Sequence, residues 1–256
     1  MGTPLAGVKV LELAVAVAGP AAAAVLADWG ADVVKVEQAG DRSRQSYASI
    51  PGVDEEQKDQ LAPLMFVDNR GKKSVVLDLK DPAGREAFEA LLARADVFVS
   101  NLREKANERL GLGCQQILER YPKMVVGRVT GYGRYGPDQD LPAYEPTAFW
   151  ARGGVAESHR SYDAEYPPML TGAMADHTTG ALCAGGIAAA LYHTRATGKG
   201  QVVDASLLRT ALYMNSWANQ FSLSLGGVHN ESKAVRSMRP YTARRPYWGQ
   251  GPVSAF

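Results

Sequence analysis

Apolar residues fall in short dense runs separated by polar, glycine- or proline-containing stretches, and the runs alternate in kind. VKVLEL (8–13) and DVVKVE (32–37) read as buried strands. Between them Gly19-Pro20 opens AAAAVLADWGA, a short helix with proline just inside its start. Strand, helix, strand is the unit of a parallel sheet. Residues 39–63 are polar and read as a long surface loop. SVVLDL (74–79) predicts a third strand, and Asp81-Pro82 caps and opens a helix with Ala87, Phe88, Leu91, Leu92 and Ala95 on one face. ADVFVSN (95–101) and KMVVGRVT (123–130) predict strands, with CQQILERYP a short helix between them. A long helix follows Asp176 to about Ala196. Gly198 to Asp204 predicts a turn and short strand, and Ala205 to Ser224 one aromatic-rich helix. Beyond Gly226 the period is lost. The alternation predicts an α/β fold, a Rossmann-like parallel sheet with helices on both faces. The expected organisation is one large domain over 1–200, a linker helix over 201–225 and the start of a smaller domain over 226–256. The final VSAF resembles neither a polar tail nor a finished helix, and a fragment of a longer protein is expected.

Composition adds mainly exclusions. The chain has 256 residues and a formal net charge of +1, from 28 basic and 27 acidic residues, so charge gives no case for nucleic acid or an anionic membrane. No run reaches the length of a membrane span, no signal peptide is expected from MGTPLAGVKVLEL, and MGTPLA lacks the hydroxyl residue that myristoylation needs. A cytoplasmic location is expected, with Cys114 and Cys183 as buried free thiols. His159, His177, His193 and His229 have no metal-ligand spacing, so no metal is assigned.

GYGRYG (131–136) matches a dinucleotide fingerprint and follows a predicted strand, but Pro137 and DQDLPAYEP leave no helix to receive a pyrophosphate. A glycine-rich pocket loop at the C-terminal end of a strand is the better reading, with no nicotinamide cofactor. Lys72-Lys73 is either a solvated loop or a phosphate contact. Asp176 stands alone among small residues in GAMADHTTGALCAGG. It reads as a helix N-cap, as a nucleophile toward an activated acyl group, or as both, with helix amides expected to keep it ionised.

Four stretches in order resemble the class III CoA-transferases, the CaiB/BaiF family. They are PLAGVKVLELAVAVAGPAAAAVLADWGADVVKVE, FVDNRGKKSVVLDLKDPAGREAFEALLARADVFVSNLR, VTGYGRYGPDQDLPAYEPTAFWARGG and GAMADHTTGALCAGGIAAALYHTRATGKGQVVDASL. The resemblance covers about residues 4 to 215. It implies that Asp176 attacks a donor acyl-CoA and carries the acyl group and then CoA, with no permanently bound cofactor. Lys72, Asn101, Arg109 and Tyr132 match positions lining the family's CoA site, while Val17 and Gln38 replace residues usual there. Glu37 also matches. Gly249-Gln250-Gly251 corresponds to a mobile glycine loop. Tyr144 and Glu145 fall where the family's racemases carry a G-H-D base, which favours transfer over racemisation. AFWARGG (148–154), with Trp150, resembles transferases of 2-hydroxy or aryl acids. The implied partners are acyl-CoA, a carboxylic acid and, in the full-length protein, an interlocked homodimer. The alternatives are a racemase or epimerase of the same family and an inactive, truncated CoA-binding protein.

Overall fold

A computed structural model of the chain describes residues 2–38, 62–160, 164–167 and 172–226. The elements in order are β1 (Lys9–Leu13), α1 (Ala18–Asp28), β2 (Asp32–Glu37), α2 (Ala62–Asn69), β3 (Lys72–Val76), α3 (Pro82–Leu92), β4 (Val97–Ser100), α4 (Glu104–Arg109), α5 (Cys114–Arg120) and β5 (Val125–Thr130). A π-helical turn (Pro146–Ala151) and α6 (Val155–Ser158) follow, then α7 (Met174–Thr197), β6 (Val202–Ser206), α8 (Leu207–Met214) and α9 (Ser216–Leu225). All strand pairs are parallel, in the order β3-β2-β1-β4-β5-β6. The α/β parallel sheet expected from the sequence is therefore present. Its order reverses between β1 and β4, where doubly wound sheets open a crevice for ligands.

Alternate residues of the central strands feed two cores. Val10, Val33, Val97, Val99 and Val125 face the small residues of α1 and α7, together with Leu26 and Ile187. Leu11, Val36, Phe98 and Val126 face Phe88 and Leu92 of α3 and Ile117 of α5. The first layer is thin because α1 and α7 almost touch. A Cβ on Gly180 would sit 2.9 Å from Ala18 O, Ala21 Cβ and Ala22 N. That contact brings the heads of α1 and α7 together at the C-terminal edge of the sheet. Asp81 caps α3 as expected, accepting from Ala83 N and Gly84 N at 3.0 Å each.

Several boundaries differ from the sequence reading. The third strand is 72–76 rather than 74–79, because Lys72 to Val76 make the ladder to β2. Residues 62–63, expected in a loop, begin α2, and α4 was not foreseen. The single helix expected over 205–224 is two, broken at Asn215, and Ala205 and Ser206 belong to the edge strand β6. The sheet thus extends past residue 200 to Ser206. Residues 227–256 lie outside the described residues. No helix among the described residues is long and apolar enough to cross a membrane.

Candidate active site

The C-terminal ends of β1, β4 and β5 open onto a cleft of about 810 Å³. The Asn101 side chain closes its floor, taking Val15 N–H on Oδ1 at 2.9 Å and donating from Nδ2 to Val15 O at 2.6 Å. One amide thereby joins the loops after β1 and β4 at the strand-order reversal. Gly19 fits under this junction, since a Cβ there would lie 2.7 Å from Ala14 Cβ and 3.0 Å from Asn101 Cγ. Arg128, fully buried, holds the β4 loop from beneath, with Nη1 donating to Ser100 O at 3.1 Å and Nη2 3.1 Å from Glu104 Oε2.

Asp176 lines the cleft from the first turn of α7. It is not the N-cap. That position belongs to Ala173, a non-glycine residue in the left-handed region at φ 53°, with no side-chain capping bond. Ala16, in the loop before α1, has φ 57°. Ala16 lines the cleft and Ala173 opens the helix that carries Asp176, and such backbone strain tends to collect at working sites. The expectation that helix amides keep Asp176 ionised is corrected. Burial pushes its carboxyl up to about 7, with the Glu145 charge next in effect, partly opposed by His177. Desolvation and a like charge outweigh the partial charge of a helix head. Glu145 is itself buried, and its Oε1 accepts from Trp150 Nε1 at 2.9 Å and from Ala175 N at 3.2 Å. His177 turns away to Asp68, Nε2 to Oδ1 2.9 Å.

The residues named from the sequence divide. Asn101, Val17, Tyr144 and Asp176 line one cleft, with Glu145 and Trp150 supporting it from behind. Lys72 lies in the core instead. Its Nζ is 2.7 Å from Glu12 Oε2 and donates to Pro20 O and Asp68 O, an arrangement that leaves it nothing to offer a phosphate. Arg109 and Gln38 are exposed and Tyr132 packs against the Ala148–Phe149 cluster, none of them on the cleft wall. Gly249 and Gly251 lie outside the described residues.

The sequence reading missed three cations that do line the cleft, Arg103, Lys105 and Arg134. A signal was present, since all three lie within five residues of a strand end, two in SNLREK and one inside GYGRYG. Arg134 bears on Arg128 and Cys114, which places its charge toward the head of α5. Lys105 pairs with Asp140 at 2.7 Å. Glu104, Glu108 and Asp140 line the same stretch, so the wall near α4 and α5 carries mixed charge, three cations and three carboxylates, while Asp176 stands apart at the head of α7. Gly133 and Gly136 of GYGRYG have φ +96° and +100°, and Gly133 N bonds Thr130 Oγ1 at 3.0 Å, so the motif is a turn lining the cleft with no helix opening behind it. Among the described residues no group of three or more His, Cys, Asp or Glu is placed to hold a metal ion. Cys114 and Cys183 are free and buried, which pushes their thiols up to about 11 and about 12.

A family model described as CoA-transferase family III matches residues 5–247. The chain is 41% identical over 209 residues to a cinnamoyl-CoA:phenyllactate CoA-transferase of Clostridium sporogenes, covering 81% of this chain and 50% of that one. It is 38% identical over 212 residues to an (R)-2-hydroxy-4-methylpentanoate CoA-transferase of Clostridioides difficile, covering 82% and 52%. It is also similar to the crystal structure of a CaiB/BaiF family protein from Brucella suis, with TM-score 0.79 and 29% identity over 89% of this chain and 59% of that one. The chain spans about half the length of the curated relatives it matches.

Proposed function

The chain belongs to CoA-transferase family III, and from that premise we propose that it moves CoA from an acyl-CoA donor to a carboxylic acid acceptor, with Asp176 as the nucleophile. The observation that carries this reading is a half-buried carboxylate at the head of α7, facing a cleft whose wall also offers Arg103, Lys105 and Arg134. Arg103, Lys105 and Arg134 would take the CoA phosphates, leaving the thioester to reach toward Asp176.

Chemically, an ionised Asp176 oxygen attacks the donor thioester carbonyl. The C–S bond breaks, giving an acyl-aspartyl anhydride and CoA thiolate. The thiolate attacks the aspartyl carbonyl, releasing the donor acid and leaving an aspartyl-CoA thioester. The acceptor carboxylate repeats the sequence in reverse, and Asp176 returns with its original charge. No proton is needed beyond the one Asp176 sheds before the first attack. Burial helps here, because a carboxylate stripped of water is a stronger nucleophile than a solvated one. Glu145 orients the site through Ala175 N–H and Trp150.

Racemisation needs a base that removes an α-proton. Position 144 is a tyrosine that is largely exposed, and Glu145 is tied down behind Asp176, so neither supports that alternative. The curated relatives above are named as CoA-transferases. At the level of assembly, α8 and α9 leave Tyr213, Trp217 and Leu223 more than two-thirds exposed. Such a surface supports an interlocked homodimer.

The test is label exchange between an acyl-CoA and its own isotopically labelled free acid. Transfer predicts label in the acyl-CoA with no net hydrolysis. Loss of α-deuterium from an α-labelled acyl-CoA without carboxyl exchange would point to racemisation. Binding of CoA with neither outcome would point to an inactive CoA-binding protein.

A further inference from the structure

Asp68 is a buried carboxylate that the transfer chemistry above does not use. It lies in the last turn of α2 and is 3% exposed. A carboxylate only accepts, so its 2.9 Å contact places the proton of His177 on Nε2. The two residues are 109 positions apart in sequence, and neither lines the cleft. Burial pushes the Asp68 carboxyl up, and His177 is the first group that opposes this, ahead of Lys72 and Arg70.

Asp68 is itself held in place. Lys72 Nζ donates to Asp68 O at 2.6 Å, to Asn69 Oδ1 at 3.3 Å and to Pro20 O at 2.8 Å, and lies 2.7 Å from Glu12 Oε2. One buried ammonium thus ties the end of α2 to α1 and to β1. The head of α7 gains from such a fixed point. Ala173 gives it no side-chain cap, and at Gly180 it meets α1 through Ala18, Ala21 and Ala22. Small residues let two helices come close but offer no large ridge to key their rotation. Two side chains grip the first turn from outside instead, Glu145 at Ala175 N and Asp68 at His177. Asp176 lies between those two points in the chain. Consecutive side chains of a helix point about 100° apart, so a turn of α7 that breaks the His177 contact also swings Asp176.

We infer that Asp68 is a positioning residue for Asp176, acting through His177 to set the rotation of the head of α7. The inference rests on the CoA-transfer reading above and adds to it a residue that lies off the cleft.

The test is label exchange between an acyl-CoA and its own labelled acid, using whichever of a panel of straight, branched and aryl donors the native protein exchanges fastest. Rates are taken above pH 8, past the Asp176 value of about 7, so that a change in charge state is not read as misplacement. Asp68→Ala and His177→Ala should each lower kcat about tenfold or more. KM for the acyl-CoA should stay within about twofold, because neither residue lines the cleft. The double variant should be no slower than the slower single, since the pair acts as one link. Asp68→Asn keeps an oxygen for Nε2–H and should hold kcat within about threefold of native. Unchanged kcat per folded molecule, with only a lower denaturation midpoint or a raised KM, would overturn the inference. So would multiplied losses in the double variant, or an Asp68→Asn as slow as Asp68→Ala. If Asp68→Ala does not fold, His177→Ala decides alone, since that side chain is 40% exposed. These outcomes leave CoA transfer intact. No exchange by the native protein with any donor would contradict the transfer reading, and the inference with it.

Discussion

Asp176 and Glu145 are two carboxyl groups in one apolar corner, and the charge state of the pair governs both rate and stability. With the Asp176 carboxyl pushed up to about 7, the fraction of nucleophile rises through neutrality. The exchange rate should climb with pH around 7 and level off above it. Glu145→Gln keeps an oxygen for Trp150 Nε1 and Ala175 N but removes the neighbouring charge, so the midpoint of that rise should move to lower pH. Stability should run the other way. Folding raises this carboxyl from 3.8 to about 7, so in that interval the folded chain binds a proton that the unfolded chain has released. Stability conferred on the folded state by the protonated form is lost as pH rises through the interval. Asp176→Asn should therefore gain over the native protein, by on the order of 2 kcal/mol, between about pH 4 and pH 8 in denaturant titrations. The position of Asp176 was legible from its isolation among small residues. Its charge state was not, because Glu145 reaches it from 31 residues away in sequence. Lys72 illustrates the opposite error. A lysine pair before a strand looks solvated, yet the β2–β3 ladder turns Lys72 inward to Glu12, itself in register with Lys35.

The pairing of α1 with α7 sets where the nucleophile sits. Gly180 is the contact point, and the atoms that an added Cβ would meet include Ala18 O and Ala22 N, which are backbone and cannot swing aside. Gly180→Val should cost roughly 1–3 kcal/mol by overpacking, read as a lower denaturation midpoint. It should also reduce exchange activity, because the head of α7 moves with the helix. Long elements with strong periods were readable from the chain alone: the central strands, α1, α3 and α7. Short ones were not. Helix α4 has six residues and no apolar stripe, and it is anchored by the buried Asn107, whose carbonyl accepts from Leu112 N at 2.7 Å while Leu112 sits in the core with Phe88 and Ile117. The break at Asn215 was hidden for a similar reason. Its side chain accepts from Ser158 Oγ at 2.9 Å, a contact with a residue 57 positions earlier.

The whole molecule depends on a sheet whose middle carries charge. Glu12 is fully buried between Lys35 and Lys72, at 2.6 and 2.7 Å. Glu12→Gln leaves two buried ammonium groups without their counter-charge and should destabilise the fold by about 3–5 kcal/mol. Glu12→Gln with Lys35→Met should recover part of that loss. At larger scale, the exposed Trp217 and Leu223 predict a dimer in sedimentation velocity runs, and Trp217→Glu with Leu223→Glu should shift it toward monomer. Transfer through this site nonetheless turns on one bond, that between Asp176 and an acyl group. Its most direct test is to add hydroxylamine with an acyl-CoA donor, digest the protein and read the mass of the peptide containing Asp176. The expected result is a hydroxamate at Asp176 that depends on both reagents and vanishes in Asp176→Asn. An unmodified Asp176 in a protein that still exchanges label, or full exchange by Asp176→Asn, would contradict it.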